Sequence, residues 1–124
     1  MCKLLMTILV GIASLGCDGG YFIGDWSGAG TESTGLVGDF SINLHLDSVS
    51  DDCGRYSISP GQCEGQILCD DVSDDSLDAT FRLSTGEILC NTETTYVLSK
   101  SGEDNAEFTC AFGVGTCFGT LERQ

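Results

Sequence analysis

The chain has 124 residues, enough for one domain and a targeting segment. Five Lys and Arg stand against 19 Asp and Glu, for a net charge of −14. That balance argues against binding nucleic acid, whose phosphates call for clustered cations, and against electrostatic attachment to anionic lipid. It describes a well-solvated acidic surface instead.

Residues 1–16 have the layout of an export signal, with Lys3 as a positive start and an apolar run from Leu4 to Gly16 that ends in small residues. As a helix this run reaches about 20 Å, short of the roughly 30 Å apolar layer of a bilayer, so a removed signal is expected rather than a transmembrane helix. Removal leaves 108 residues with 4 basic and 19 acidic side chains, a net −15. The junction Ser14-Leu15-Gly16-Cys17 resembles the cleavage site of bacterial lipoproteins, in which the cut falls just before an acylated cysteine. Gly16 matches the pattern, whereas Ser14 and Leu15 stand where leucine and a small residue are usual. The resemblance covers residues 1–17 and implies a diacylglyceryl thioether and an amide-linked chain on Cys17. Three acyl chains hold a protein firmly, where one does so only marginally. It also implies membrane attachment through the lipid in a bacterial envelope, with the outer membrane or cell surface favoured over the inner membrane. Asp18, directly after the anchor, resembles the inner-membrane retention signal of enteric bacteria. The organisation expected is a signal at 1–16, a lipidated cysteine and short tether at 17–23, and one β domain at 24–124.

Cysteine parity bears on the same point. Of 8 cysteines, Cys2 leaves with the signal; if Cys17 is acylated, Cys53, Cys63, Cys69, Cys90, Cys110 and Cys117 remain. Six cysteines in an exported domain of this size read as three disulfides. The alternative leaves Cys17 as a free or intermolecular thiol.

After a short polar spacer at 18–20 the pattern has period two. Phe40, Ile42, Leu44 and Leu46 alternate with polar residues, as do Leu77, Ala79, Phe81 and Leu83, and then Ala106, Phe108, Cys110 and Phe112. Such alternation predicts half-buried antiparallel strands, and no helical stripe interrupts them. Turn signals, among 17 glycines and one proline, separate strands expected near 24–29, 37–47, 54–58, 62–69, 77–84, 87–98, 105–112 and 116–122. The expected fold is a small all-β antiparallel meander, disulfide-linked, that forms either a closed barrel or a β-sandwich.

Gly61-Gln62-Cys63-Glu64-Gly65-Gln66-Ile67 and Gly115-Thr116-Cys117-Phe118-Gly119-Thr120-Leu121 share the pattern G-x-C-x-G-x-[IL]. Read as one repeated device, a disulfide-closed turn entering a strand bent at glycine, they suggest Cys53–Cys63 and Cys110–Cys117. Cys69–Cys90 is then left over. In a meander those two residues lie on strands separated by a third and near opposite ends, beyond the roughly 7 Å a disulfide spans. Cys90–Cys110 is an alternative, and fifteen connectivities are open.

Gly24-Asp25-Trp26 resembles the G-x-W that opens the first strand of lipocalins. That resemblance rests on three residues and implies a tryptophan, Trp26, plugging one end of a barrel whose cavity holds an apolar ligand. The competing reading is a tryptophan in an ordinary core filled by Phe40, Ile42, Phe81 and Phe108. The acidic run from Asp70 to Asp78 lacks the spacing of a calcium loop and reads as a solvated turn, as do Asp47, Asp51 and Asp52. His45 is the single histidine, on the polar face of its strand, with no partner evident for zinc or nucleophilic catalysis. Nothing among the acids singles out a glycosidase pair. No catalytic residue, metal site or cofactor is therefore expected. The expected function is a lipid-anchored envelope protein with a structural or interaction role, whose partner is unspecified. The alternative is a lipocalin-like carrier or sensor of a small apolar ligand, and a carboxylate hydrolase of the envelope stands third.

Overall fold

The computed structural model describes residues 20–87 and 90–124, so Cys17 and the segment expected to be an export signal lie outside it. A 3-10 turn at Gly20–Phe22 leads into eight strands: β1 (Gly24–Glu32), β2 (Asp39–Leu46), β3 (Asp51–Ser59), β4 (Cys63–Val72), β5 (Ser76–Thr85), β6 (Glu93–Lys100), β7 (Asn105–Phe112) and β8 (Gly115–Arg123). Each strand pairs antiparallel with the next, and β1 pairs with β8 from Trp26↔Arg123 to Glu32↔Cys117, which shuts the ring. Of the two expected architectures, the closed barrel is the one formed.

Alternation explains the closure. Strands with one apolar face must bury it, and a ring does so while leaving no unpaired edge. Phe40, Ile42, Leu44 and Leu46 are buried on β2, Leu77, Ala79 and Phe81 on β5, and Ala106, Phe108 and Cys110 on β7. The two G-x-C-x-G segments open β4 and β8 and share a packing task. A Cβ on Gly65 would stand 2.8 Å from Tyr56 Cε1 and 2.1 Å from Arg82 O, and one on Gly119 would stand 2.5 Å from Phe108 Cζ and 2.2 Å from Ala29 O. Only glycine lets the edges of those rings come so close to the barrel wall.

Among the described residues three disulfides form, and two of the expected pairings are corrected. Cys110–Cys117 is present, between residues directly opposite each other in the β7–β8 hairpin. Cys53 pairs with Cys69 rather than Cys63, and Cys63 pairs with Cys90, at Cα separations of 5.8 and 5.7 Å. The reason is axial position. Cys63 faces Ile58, so Cys53 lies roughly 17 Å away along β3, beside the far end of β4 where Cys69 sits. Cys90 belongs to the segment that precedes β6 at the other end, within reach of Cys63 and at the opposite end from Cys69, while Cys110 is taken by Cys117. This segment also explains why β6 begins at Glu93 rather than 87: Glu87 N donates to Gly61 O, and Cys90 is drawn across to β4.

Candidate functional site

The two ends of the barrel differ. At the first, the 3-10 turn folds inward, so that Tyr21 and Phe22 pack on the barrel where a tether had been expected through residue 23. Phe22 is 0% exposed and Trp26 1%. Trp26 Nε1 donates to Phe22 O at 2.9 Å. Arg123 lies over the Trp26 ring at 4.5 Å and the Tyr21 ring at 5.0 Å, donates to Tyr21 O (2.6 Å) and Ile23 O (3.1 Å), and pairs with Asp104 at 3.0 Å. Tyr21 Oη donates to Gly102 O at 2.6 Å and also reaches Asn105 O. This end is solid, filled by large side chains whose polar atoms are paired.

Midway along the axis, inward aromatic rings stack into a floor. Tyr56 and Phe81 have ring centroids 4.7 Å apart, and Phe81 and Tyr96 3.9 Å at 16°. Phe108 adjoins Tyr96 at 5.7 Å and Phe40 at 6.1 Å. Stacking of this kind holds rigid, flat surfaces at low entropic cost.

Above that floor, at the second end, the barrel opens into a cavity of about 160 Å³. Phe40, Tyr56, Tyr96 and Phe112 line it, with Thr94 and the Cys63–Cys90 bridge. Leu36 and Val114, on the β1–β2 and β7–β8 loops, stand at its rim with 75% and 91% of their surface exposed. Two polar groups within are distinctive. Tyr56 is 6% exposed and Tyr96 3%, yet neither hydroxyl has a hydrogen-bond partner among the described residues, and neither oxygen is sealed from solvent. Both open onto the cavity they line. Burial pushes the Tyr56 phenol up to about 12 and raises that of Tyr96 further, the latter reinforced by Tyr56. Both hydroxyls therefore keep their protons near neutrality and stay available as donors.

Glu32 is the one carboxylate among the described residues that lines the mouth. Its oxygens accept hydrogen bonds from the Thr34 hydroxyl and from the backbone amides of Thr34 (2.9 Å), Val37 (3.0 Å) and Gly38 (2.9 Å). The Thr34 hydroxyl, followed by the Gly38 amide, lowers its pKa from an ordinary 4.5 to about 2. Glu32 thus shapes the loop that carries Leu36 over the opening.

The other residues singled out in the sequence lie elsewhere. His45 has partners the sequence did not disclose. On the outer surface it bridges Asp25 and Asp47, the latter at 2.7 Å, and these carboxylates raise its pKa. The acidic run forms the β4–β5 turn at the filled end, where Asp70 accepts from the Thr80 hydroxyl at 2.8 Å. Among the described residues no group of three His, Cys, Asp or Glu is placed to share a metal ion, and no helix is long and apolar enough to cross a membrane. Tyr56, Tyr96, Thr94 and Glu32 were not singled out from the sequence. The signal for the first three was their inward phase: each falls on the apolar side of its strand and carries a hydroxyl into the interior.

No protein-family model and no curated protein matches this sequence. A solved structure of EF1p2_mFAP2b bound to DFHBI is similar in fold, with a TM-score of 0.61 at 12% identity over 84% of this chain and 94% of that one. At that identity the likeness concerns the barrel alone.

Proposed function

We propose that this protein binds a small molecule in the open mouth of its barrel, as a carrier or sensor rather than a catalyst. The observation that carries this reading is the cavity above the aromatic floor, apolar in its walls and furnished with two unpaired hydroxyls. Concave, mostly apolar sites with a few polar groups are where small ligands bind. The similarity to a barrel bound to DFHBI supports it as well. A screen of small aromatic compounds, DFHBI among them, against the oxidised protein tests the proposal by thermal unfolding and by amide spectra. Ligands that occupy the mouth raise the melting temperature by mass action and shift resonances of Thr94, Tyr96 and Phe112. A screen in which no compound does either would count against it.

Membrane attachment through a lipid on Cys17 is the second part of the proposal. Its support is the sequence pattern at 1–17 and the even number of cysteines that acylation leaves. Gly20 opens the turn at the filled end, so an anchor three residues earlier would leave the mouth pointing away from the bilayer. Intact mass of protein extracted from cells tests it. The expected species has lost residues 1–16, gained acyl chains and kept six oxidised cysteines. A bare Cys17 thiol, or one joined to another sulfur, overturns the anchor and leaves the ligand site untouched.

A further inference from the structure

The cavity also restricts which molecules can fill it. An enclosed apolar space of about 150 Å³ is enough to hold benzene. The 160 Å³ here, open at the mouth, takes one ring inside, with any further substituent directed outward past Leu36 and Val114. Its walls present flat faces, Phe40 and Phe112 beside the two tyrosines, which favour an aromatic occupant over a flexible chain.

Charge narrows the choice again. No Lys or Arg lines the cavity among the described residues, and the whole chain carries −14. An anionic ligand would enter against that field and find no counterion. Nor is a cation provided for, because the Glu32 oxygens are already engaged by the amides and hydroxyl of their own loop. What remains unsatisfied is donor capacity: Tyr96, 3% exposed, and Tyr56, 6% exposed, hold hydroxyls with no acceptor among the described residues, as does Thr94 at 9%. Solvent reaches both tyrosine oxygens, so a ligand that displaces that water keeps their hydrogen bonds only if it brings an acceptor of its own.

Resting on the ligand-binding reading above, we infer that the ligand is a neutral, single-ring aromatic compound bearing a hydrogen-bond acceptor such as a carbonyl, which takes the protons of the Tyr56 and Tyr96 hydroxyls. Its ring packs among Phe40, Tyr56, Tyr96 and Phe112.

Three probes of nearly equal size separate the elements of this claim: acetophenone, which is neutral with a carbonyl; ethylbenzene, which lacks the acceptor; and benzoate, which is charged. Calorimetric titration of the oxidised full chain is expected to rank acetophenone about tenfold tighter than ethylbenzene, with benzoate weakest. Y96F and Y56F variants should weaken acetophenone and bring it to within about twofold of ethylbenzene. Should either variant fail to fold, the ranking on the natural protein still decides. Ethylbenzene binding as tightly as acetophenone overturns the acceptor, and benzoate binding most tightly overturns neutrality. If none of the three binds while other compounds raise the melting temperature, this inference falls and the ligand site stands. If no compound of any class acts, both fall.

Discussion

The filled and open ends of the barrel are made from the same eight strands, yet they satisfy their polar groups in opposite ways. At the filled end Trp26 donates to Phe22 O, Arg123 ties the turn and β8 together, and Tyr21 reaches two carbonyls across the loop before β7. At the mouth two tyrosine hydroxyls are held in place with no partner among the described residues, and apolar side chains stand exposed on the rim. Such a pairing of ends divides the barrel: one end is closed by packing, and the other retains an incomplete surface.

Truncation at the filled end should sharpen the contrast most. Trp26→Ala removes the largest fully buried side chain and leaves the Phe22 carbonyl unpaired, which should cost about 3–5 kcal/mol in urea unfolding of the oxidised protein. Next come the disulfides. Replacing Cys53 and Cys69 together with alanine should cost about 3 kcal/mol and leave probe affinity unchanged. The same change at Cys63 and Cys90 should cost about as much and also weaken binding several-fold, because that bridge is part of the cavity wall. Equal effects of the two deletions on binding would break the proposed division between ends. Tyr96→Phe is expected to shift stability by less than about 0.5 kcal/mol, since the hydroxyl it removes has no partner to lose.

The smallest expected effect is local and pH-dependent. The folded pKa of Glu32 lies near 2, below its ordinary 4.5, so its hold on the β1–β2 loop is present in full above about pH 4.5 and is lost as pH falls through about 2. The Val37 and Gly38 amide resonances should move with a midpoint near pH 2 in the natural protein. In a Glu32→Gln variant that transition should be gone, with resonances of the barrel core unaffected.

The strands were legible because each carries its burial in a two-residue rhythm that local sequence displays, as in Phe40 to Leu46 and Ala106 to Phe112. The disulfides were legible only where they are local. Cys110 and Cys117 face each other in one hairpin, whereas Cys53, Cys63, Cys69 and Cys90 are sorted by which end of the ring they occupy, a property of closure that spacing does not encode. The echo between the two glycine-cysteine segments proved to mark shared ring packing at Gly65 and Gly119 rather than shared bridging. The mouth was hidden for a similar reason. Tyr56 and Tyr96 read as ordinary strand residues until β3, β5 and β6 bring them to either side of Phe81. His45 gained Asp25 as a partner only when β1 came alongside β2 and set it opposite, whereas Asp47 lies two residues along the chain.

The seam between β1 and β8 joins residues as distant in the chain as Trp26 and Arg123. Closing so long a loop is slow, and until it closes the nascent sheet has two raw borders that can pair with another molecule. A proteolytic nick that released β8 would restore both borders at once, on β1 and β7, and turn a self-contained cylinder into an open template for polymerisation.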